Sequence, residues 1–590
     1  MREVPVPPIA YPSTGQMLAF RFKATLFQLR RSLVNVLHPV RRYRPTENLN
    51  NEAVIAESVT PLWTSHEAIE RNLIAGKIQN LRIAARTIDG IEIPANSVFS
   101  FWAQVGCPTA AKGYVSGREL RQGCVIPSVG GGLCQLSNAL YSAALDAELE
   151  IVERHAHTQI IPGSLAEMGR DATVFWNYVD LRFRTSTALR IEASLTQDAL
   201  VVRFKGQPAL LKSHETEKAD PSRPIAKSKS CQTCGVTSCS RSIKQPLPVD
   251  EFPIAYLLDE YWTEFDQWIQ QNIQQKIQPD RKSTDLLAIP IDGKQWRKAN
   301  YAWNTAGFSQ IKQAYSVTLQ RSIASRRLAT QGASRQQILL KYDRQLANFY
   351  AAQLSSKILH CVVMQNLLPF LWQDGHLGGR SFDVLMTRLP LFVLQERLDR
   401  AYQNHPESPT LNDFRVDLTL LEAERQALAS ARFIVTPHSE IAALFPEKSV
   451  LLDWQIPQHQ TPPNPGNAIL FPASTLGRKG AYELRQAAQN LGLTLRILGQ
   501  ELEGQNFWHG VSVERFRSDQ DDRSPKDPLA GVGLVVLPAY VEHRPRLLLR
   551  AIAAGIPVIV SEACGLGNLE GVITVPTGDA AALQKAIVSF

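Results

Sequence analysis

The run VGGGLCQLSNALYSAALDAELEIVERHAHTQ, residues 129–159, sets three glycines before a cysteine and two histidines one residue apart behind it. That order of residue types suits a reactive sulfur. Gly130, Gly131 and Gly132 let the backbone turn sharply and let another chain come close. A helix is expected to begin at Leu133 or Cys134. Leu136, Leu140, Ala143 and Ala144 form its apolar stripe, and Cys134, Ser137, Asn138 and Tyr141 fall on a different face. Cys134 is then in the first turn, where free N–H groups and the helix dipole favour negative charge. The thiolate is the nucleophile, so a base is wanted within reach.

The segment ERHAHTQ supplies the candidates. Read as a strand, it points His155 and His157 to one face and Arg154 to the other. Asp171 or Asp180 could orient a histidine through its second ring nitrogen. Cys134, His155, His157 and Asp171 are therefore the candidate catalytic set. The order helix–Cys, strand–His, strand–Asp is similar to the layout of transglutaminase-like and papain-like thiol enzymes. Two other readings use the same residues. A His-x-His pair completed by Cys134 or Asp171 has metal-ligand spacing, and a free cysteine is commonly a buried packing residue.

A second sulfur-bearing stretch, CQTCGVTSC, spaces Cys231, Cys234 and Cys239 as C-x2-C-x4-C. Thiolates this close could hold Zn²⁺ or an iron–sulfur cluster, with His214 or Cys361 as a fourth ligand. A redox dithiol, or no special role, are the alternatives.

Towards the C-terminus, NAILFPASTLGRKGAYELRQAA reads strand, loop, helix, with Arg478 and Lys479 in the loop and Gly480 near the helix start. Basic side chains at a helix N-terminus can hold a diphosphate. In GLVVLPAYVEHRPRLLLRAIAAGIPVIVSEA a strand leads into a turn with Glu542 and then a helix. Arg544 and Arg546 make that turn basic, either to bind an anionic group or as an ordinary solvated face.

These residues need scaffolds, and 590 residues are too many for one core. The expected organisation is a basic amphipathic arm (1–59), an α+β domain (60–205), a Lys-, Ser- and Pro-rich linker holding the cysteine cluster (206–250), and two α/β halves (251–455 and 456–590). In the arm, Leu18, Phe22, Leu26, Leu29, Leu33 and Leu37 recur at helical spacing with arginines on other faces. That helix could lie on lipid, giving peripheral membrane contact, or pack on its own protein. In the α+β domain, ELEIVERHAHTQ, DATVFWNYVDLRFR and LRIEASLTQDALVVRF read as strands. From 251 long helices are expected first. Then come the short buried strands ILHCVVM, FDVLMTRL, ARFIVTP, NAILFPAS, LTLRILG, GLVVLPAY and PVIVSEA, alternating with helices as in parallel sheets covered on both faces.

Hydrophobic residues make up 44% and charged residues 20%, an ordinary soluble composition. The net charge of +8 is concentrated early, at Arg2, Arg21, Lys23, Arg30, Arg31, Arg41, Arg42 and Arg44. No basic–aromatic interleaving points to nucleic acid. No apolar run of ~20 residues could span a membrane, and MREVPVPPIAYPSTG is too proline-rich for a secretory signal. The sparse cysteines do not suggest a disulfide framework. The expected location is cytoplasmic.

The blocks NLRIAARTIDGIEIPANSVFSFWAQVG, GGGLCQLSNALYSAAL, IVERHAHTQ and RDATVFWNYVDLRFR resemble those of the VanW family over residues 60–200. The resemblance implies a link to cell-envelope or peptidoglycan metabolism, without a reaction. Residues 350–590 resemble GT-B glycosyltransferases of the retaining type called family 4. That resemblance implies two Rossmann-like domains and a nucleotide-sugar donor. It also implies phosphate contacts from Arg478 and Lys479 and a Glu-x7-Glu element on donor sugar and ribose. Glu542 matches the first Glu. The second falls at Arg550, a cation where ribose hydroxyls would need an acceptor. ASARFIVTPHSEIAALF resembles the last strand and helix of the first half, with His438 and Ser439 towards the cleft, and DGHLGGRSFDVLMTRLP could be an acceptor loop. The implied activity is sugar transfer to an envelope glycan or lipid-linked acceptor. The alternatives are a Cys–His–Asp thiol enzyme and a non-catalytic module binding peptidoglycan or a lipid precursor.

Overall fold

A computed structural model describes residues 14–37, 39–64, 68–121, 124–157, 164–207, 229–230, 252–275, 283–327, 332–413, 415–458, 466–516, 527–567 and 569–590. The chain forms two compact units. The first holds Met1–Pro253 with Ser355–Leu359 and Asp374–Ser381, and the second holds the rest. The stretch read as an acceptor loop thus starts within the first unit.

In the first unit the elements are α1 (Thr14–Leu37), β1 (Val54–Pro61), α2 (Ala68–Ile88), β2 (Ile91–Ile93), β3 (Ser97–Ser100), α3 (Phe101–Val105), β4 (Ser116–Arg121), β5 (Cys124–Val129), α4 (Cys134–Asp146), β6 (Glu150–Glu153), β7 (Arg182–Thr185), β8 (Leu189–Leu195), β9 (Ala199–Gly206) and β10 (Lys229–Ser230). The hairpin β8–β9 carries the alternation expected of it, buried residues at every second position of β8. It is the centre of an antiparallel sheet ordered β1-β9-β8-β2. Helix α2 buries Ile74, Ile78, Leu81, Ala85 and Ile88, one helical stripe. Helix α4 packs on β1 and β9 through Leu136, Leu140, Ala143 and Ala144. Two three-stranded sheets, β10-β5-β4 and β3-β7-β6, complete the described strands of this unit.

Two expected strands are shorter here. The run read across 148–159 ends at Glu153, after a register shift between Ile151 and Glu153. Beyond it the Asp171 carboxylate, rather than a partner strand, takes the His157 N–H at 2.7 Å. Residues 171–181 are an extended segment and a turn, and only Arg182–Thr185 is strand. Asn177 at φ 60 closes that turn, across which Phe175 N donates to Val179 O at 2.9 Å.

The second unit begins with a strand, not with long helices. Its elements are β11 (Ile254–Leu257), α5 (Thr263–Gln274), β12 (Ser283–Ile289), β13 (Phe308–Gln313), α6 (Tyr315–Arg327), α7 (Gly332–Ala351), β14 (His360–Met364), α8 (Leu368–Gln373), β15 (Ser381–Leu385), α9 (Leu391–Asn404), α10 (Leu418–Ser430), β16 (Phe433–Thr436), α11 (Ser439–Leu444) and β17 (Ser449–Leu451). Then come β18 (Ala468–Phe471), α12 (Ala481–Leu491), β19 (Thr494–Ile497), β20 (Ser512–Arg515), β21 (Val532–Leu537), α13 (Arg546–Ala553), β22 (Val558–Ser561), β23 (Val572–Val575) and α14 (Ala580–Val588). The two sheets run β13-β12-β11-β14-β15-β16-β17 and β20-β19-β18-β21-β22-β23. Both place the first strand of the sheet beside the fourth, the doubly wound order with its crevice at that switch point. The second sheet is parallel at every pairing. The seven strands read from the sequence are all present. Edge strand β13, FSQIKQ, is mostly exposed and has no apolar run to betray it.

No described helix is long and apolar enough to cross a membrane.

Candidate active site

Cys134 is the first residue of α4, and Gly130 and Gly132 at φ 78 and 99 turn the chain into it. A Cβ on Gly132 would strike the stem of Lys77, and one on Gly131 would lie 2.5 Å from the Gly117 carbonyl oxygen. Asn80 holds the loop, donating to Gly131 O at 2.9 Å and Val115 O at 3.0 Å. The backbone N–H of Cys134 has no acceptor among the described residues, leaving a donor beside the sulfur.

The polar face of α4 is covered by the segment that follows Arg170. Ser137 Oγ donates to Ala172 O at 2.6 Å, and Ala172 N donates to Asn138 Oδ1 at 2.8 Å. This segment carries Asp171, which is fully buried. Its Oδ2 accepts from His157 N at 2.7 Å and lies 3.1 Å from His157 Nδ1; its Oδ1 accepts from Arg154 Nη2 at 3.2 Å. Arg154 also donates Nε to Asp171 O at 2.8 Å and lies over the Tyr141 ring. The His157 ring lies close enough to Cys134 to act on its thiol, and the sulfur lies 3.8 Å from Thr173 Oγ1 and 3.8 Å from Val174 O. The structure therefore brings Cys134, His157 and Asp171 into one chain of contacts.

The electrostatics follow from these contacts. Burial alone would raise the Cys134 thiol; the His157 hydrogen bond and charge outweigh it, so the thiol sits below its ordinary value. Burial likewise opposes a charge on His157, but Asp171 first and Cys134 second raise it to about 10. His157 thus carries its charge at neutral pH, and that charge favours the thiolate form of Cys134. Cys564, buried with no imidazole partner, is pushed up to about 12, chiefly by that burial.

His155 stands apart. It is half-exposed, with Nε2 3.4 Å from Glu153 Oε1. The expectation that both histidines share a face fails because 154–157 is not strand, and Arg154 and His157 both turn to Asp171. Asp180, the other candidate orienter, is buried among Ser100 Oγ at 2.6 Å, Trp102 N at 3.1 Å and Arg182 Nε at 2.8 Å, and serves the fold there. Among the described residues no three His, Cys, Asp or Glu side chains converge to hold a metal ion. Cys231, Cys234, Cys239 and His214 lie outside the described residues; Cys361 is buried in β14.

Sequence reasoning missed Lys77. Its stem lies along Gly132, and burial first, then Arg118, lowers its amine to about 7. The unfolded chain keeps that proton to pH ~10.4. Between these values the unfolded state binds more protons, so stability rises with pH through this window. Lys77→Met removes the rise and raises the urea midpoint at pH 7, by about 1–3 kcal/mol of stability. A lower midpoint at pH 7 contradicts that reading of the amine. No local spacing could have marked Lys77, which meets Gly132 only through the fold.

In the second unit the loop after β18 and the turn after β21 meet at the switch point. Lys479 Nζ lies 2.8 Å from Glu542 Oε2 and 3.0 Å from Val541 O. Lys479 holds the Glu542 carboxyl below its usual range against the burial that would raise it. Arg478 is half-buried, and burial lowers it. His438 is buried, its Nε2 3.3 Å from Glu542 O, and burial lowers it to about 4. Arg550 points elsewhere, to Asp527 Oδ1 at 3.1 Å. The turn's other cations face the first sheet's half of this unit. Arg546 makes a two-pronged pair with buried Glu264 at 2.8 and 2.9 Å, Arg544 pairs with Glu260, and both guanidinium groups lie over Trp262. Both remain partly exposed, with their charge committed to these carboxylates. Sequence spacing could not have shown pairs separated by more than 280 positions.

Residues 76–205 match the VanW family model, VanW like protein. Cys134, His157 and Asp171 all lie within the match. The uncharacterized protein YoaR of Bacillus subtilis (strain 168) is 41% identical over 105 residues, 18% of this chain and 34% of that protein. The vancomycin B-type resistance protein VanW of Enterococcus faecalis (strain ATCC 700802 / V583) is 33% identical over 148 residues, 25% of this chain and 54% of that protein. The chain thus spans about one third and about half of the two VanW-like relatives. Among solved structures, sucrose-phosphate synthase from Thermosynechococcus elongatus is 17% identical at a TM-score of 0.33, covering 57% of this chain and 89% of that one. Anabaena HepE in complex with UDP is 13% identical at 0.31, over 57% and 89%.

Proposed function

We propose that the VanW-like part is a thiol enzyme acting on an acyl carbonyl. The observation that carries this is the contact chain Cys134–His157–Asp171 at the start of α4. The Cys134 thiolate attacks the carbonyl carbon of an amide or ester. The C–N or C–O bond breaks, and the leaving group takes the proton held by His157. A thioester on Cys134 remains. Water or an amine then attacks it, gives a proton to His157 and releases the sulfur. Asp171 holds the imidazole by its Nδ1 side and stabilises its charge. The Cys134 N–H and the helix terminus stand where the carbonyl oxygen becomes negative. The likeness to a vancomycin resistance protein supports an envelope peptide as the acyl compound.

The test is mass spectrometry of the protein after incubation with peptide thioesters and p-nitrophenyl esters. An acyl adduct on the Cys134 peptide, absent in Cys134→Ala, is the expected result. Acylation elsewhere, or equal turnover by Cys134→Ala, would leave a non-catalytic module that binds peptidoglycan or a lipid precursor.

A second reading concerns the other unit: transfer of a sugar from a nucleotide donor to an envelope glycan or lipid-linked acceptor. The meeting of Lys479 and Glu542 at a doubly wound switch point supports it. Arg550 in place of a carboxylate weighs against ordinary ribose contacts. UDP, GDP or ADP at a hundred times Kd adds about 2.7 kcal/mol of stability, so the melting temperature should rise with one of them and less in Lys479→Ala. No rise with any of the three removes this reading.

A further inference from the structure

Helix α1 is amphipathic the wrong way round for a helix that packs by its apolar stripe. Its polar stripe faces the protein. Gln28 Nε2 donates to Trp176 O at 3.3 Å, and Asn177 Nδ2 donates to Gln28 O at 3.3 Å and to Ser32 Oγ at 2.8 Å. Arg182 Nη2 donates to Asn35 Oδ1 at 3.1 Å, and Arg31 pairs with Glu153. Ala24 is buried, Phe20 meets the Phe175 ring edge-on, and Phe27 stacks on Tyr178. At ~100° per residue, positions 20, 24, 27, 28, 31, 32 and 35 share one side of the helix.

The opposite side carries Leu18, Phe22, Leu29, Leu33 and Leu37, which are 62, 67, 58, 67 and 74% exposed, with Leu26 and Val36 also exposed. Burying this stripe would be favourable, but the polar contacts fix the helix with it outward. The helix holds no Asp or Glu. Arg21, Lys23 and Arg30 are exposed on its flanks, and Arg41, Arg42 and Arg44 are exposed just beyond its C-terminus. An apolar stripe edged by cations, with no acid among them, fits the surface of an anionic bilayer: hydrocarbon beneath the headgroups, phosphates at the rim.

We infer that α1 docks the protein on an anionic membrane surface. The stripe enters the boundary between headgroups and acyl chains, and the flanking cations pair with lipid phosphates. Gln28, Ser32 and Asn35 keep the VanW-like part fixed to the side of the helix that faces away from the membrane. This does not depend on the reaction at Cys134.

The test is cosedimentation of the full chain with vesicles of phosphatidylcholine alone or mixed with phosphatidylglycerol. The parent chain is expected to bind the mixed vesicles at least tenfold better, with binding that weakens as salt rises. Phe22→Ser/Leu29→Ser/Leu33→Ser should lower binding at least tenfold at an unchanged urea midpoint. Arg21→Gln/Lys23→Gln/Arg30→Gln should remove most of the salt dependence. No preference for anionic vesicles, or unchanged binding by the serine variant, overturns the proposal. So does a dimer that the serine substitutions dissolve in a chain that binds no vesicles.

Discussion

Asp171→Ala is expected to lower the stability of the VanW-like part by about 3–5 kcal/mol, the usual cost of removing one partner from a buried charged cluster. Asp171 is fully buried and accepts three hydrogen bonds, from His157 N, His157 Nδ1 and Arg154 Nη2. Without it a half-buried guanidinium loses its carboxylate and a backbone N–H loses its acceptor. The same change removes the largest influence holding His157 protonated, so the thiol loses its charged partner at neutral pH. Asp171→Asn keeps the shape but not the charge, and is expected to cost less stability while still lowering the His157 pKa. Urea unfolding followed by tryptophan fluorescence gives the first effect. The His157 ring shift in an NMR titration gives the second. An Asp171→Ala protein as stable as the parent would mean that the cluster does not anchor residues 171–174 to α4.

His157→Gln should reduce acylation of Cys134 by about 10²–10⁴-fold, the usual worth of a positioned acid–base group. Two losses combine. The thiol keeps the burial that raises its pKa but loses the hydrogen bond and charge that lower it, so the thiolate fraction at pH 7 falls. The leaving group also loses its proton donor. Raising the pH should recover the first loss and not the second, so the variant's deficit narrows in alkali without closing. His155→Ala is expected to leave the rate within about twofold, since its ring lies by Glu153, away from the sulfur. A rate lost in His155→Ala and kept in His157→Gln would reverse the assignment.

Much of this was legible in the sequence, for specific reasons. The glycine run and the apolar stripe of α4 placed Cys134 in the first turn, because both signals are local. Seven buried strands of the second unit were legible because buried parallel strands are short apolar runs between helices. What could not be read depended on distant contacts. His155 and His157 are indistinguishable in sequence because strand alternation puts them on one face, whereas the strand ends at Glu153 and the Asp171 carboxylate accepts the His157 N–H. The polar face of α4 offered no sign that residues 171–174 would cover it through Ser137 and Asn138. Helix α1 was read as amphipathic, but which face met the protein was decided by a turn at Asn177.

The alkylation rate of Cys134 as a function of pH reads the pairing of its sulfur with His157 directly. Iodoacetamide labelling of the Cys134 peptide, followed by mass spectrometry from pH 5 to 10, should show reactivity persisting well below the ~8.5 of a free cysteine. In His157→Gln the midpoint should move above that value, and in His155→Ala it should stay where the parent has it. A parent midpoint at or above ~8.5, unmoved by loss of His157, would contradict the thiolate–imidazolium pair and leave Cys134 as a packing residue at the head of α4.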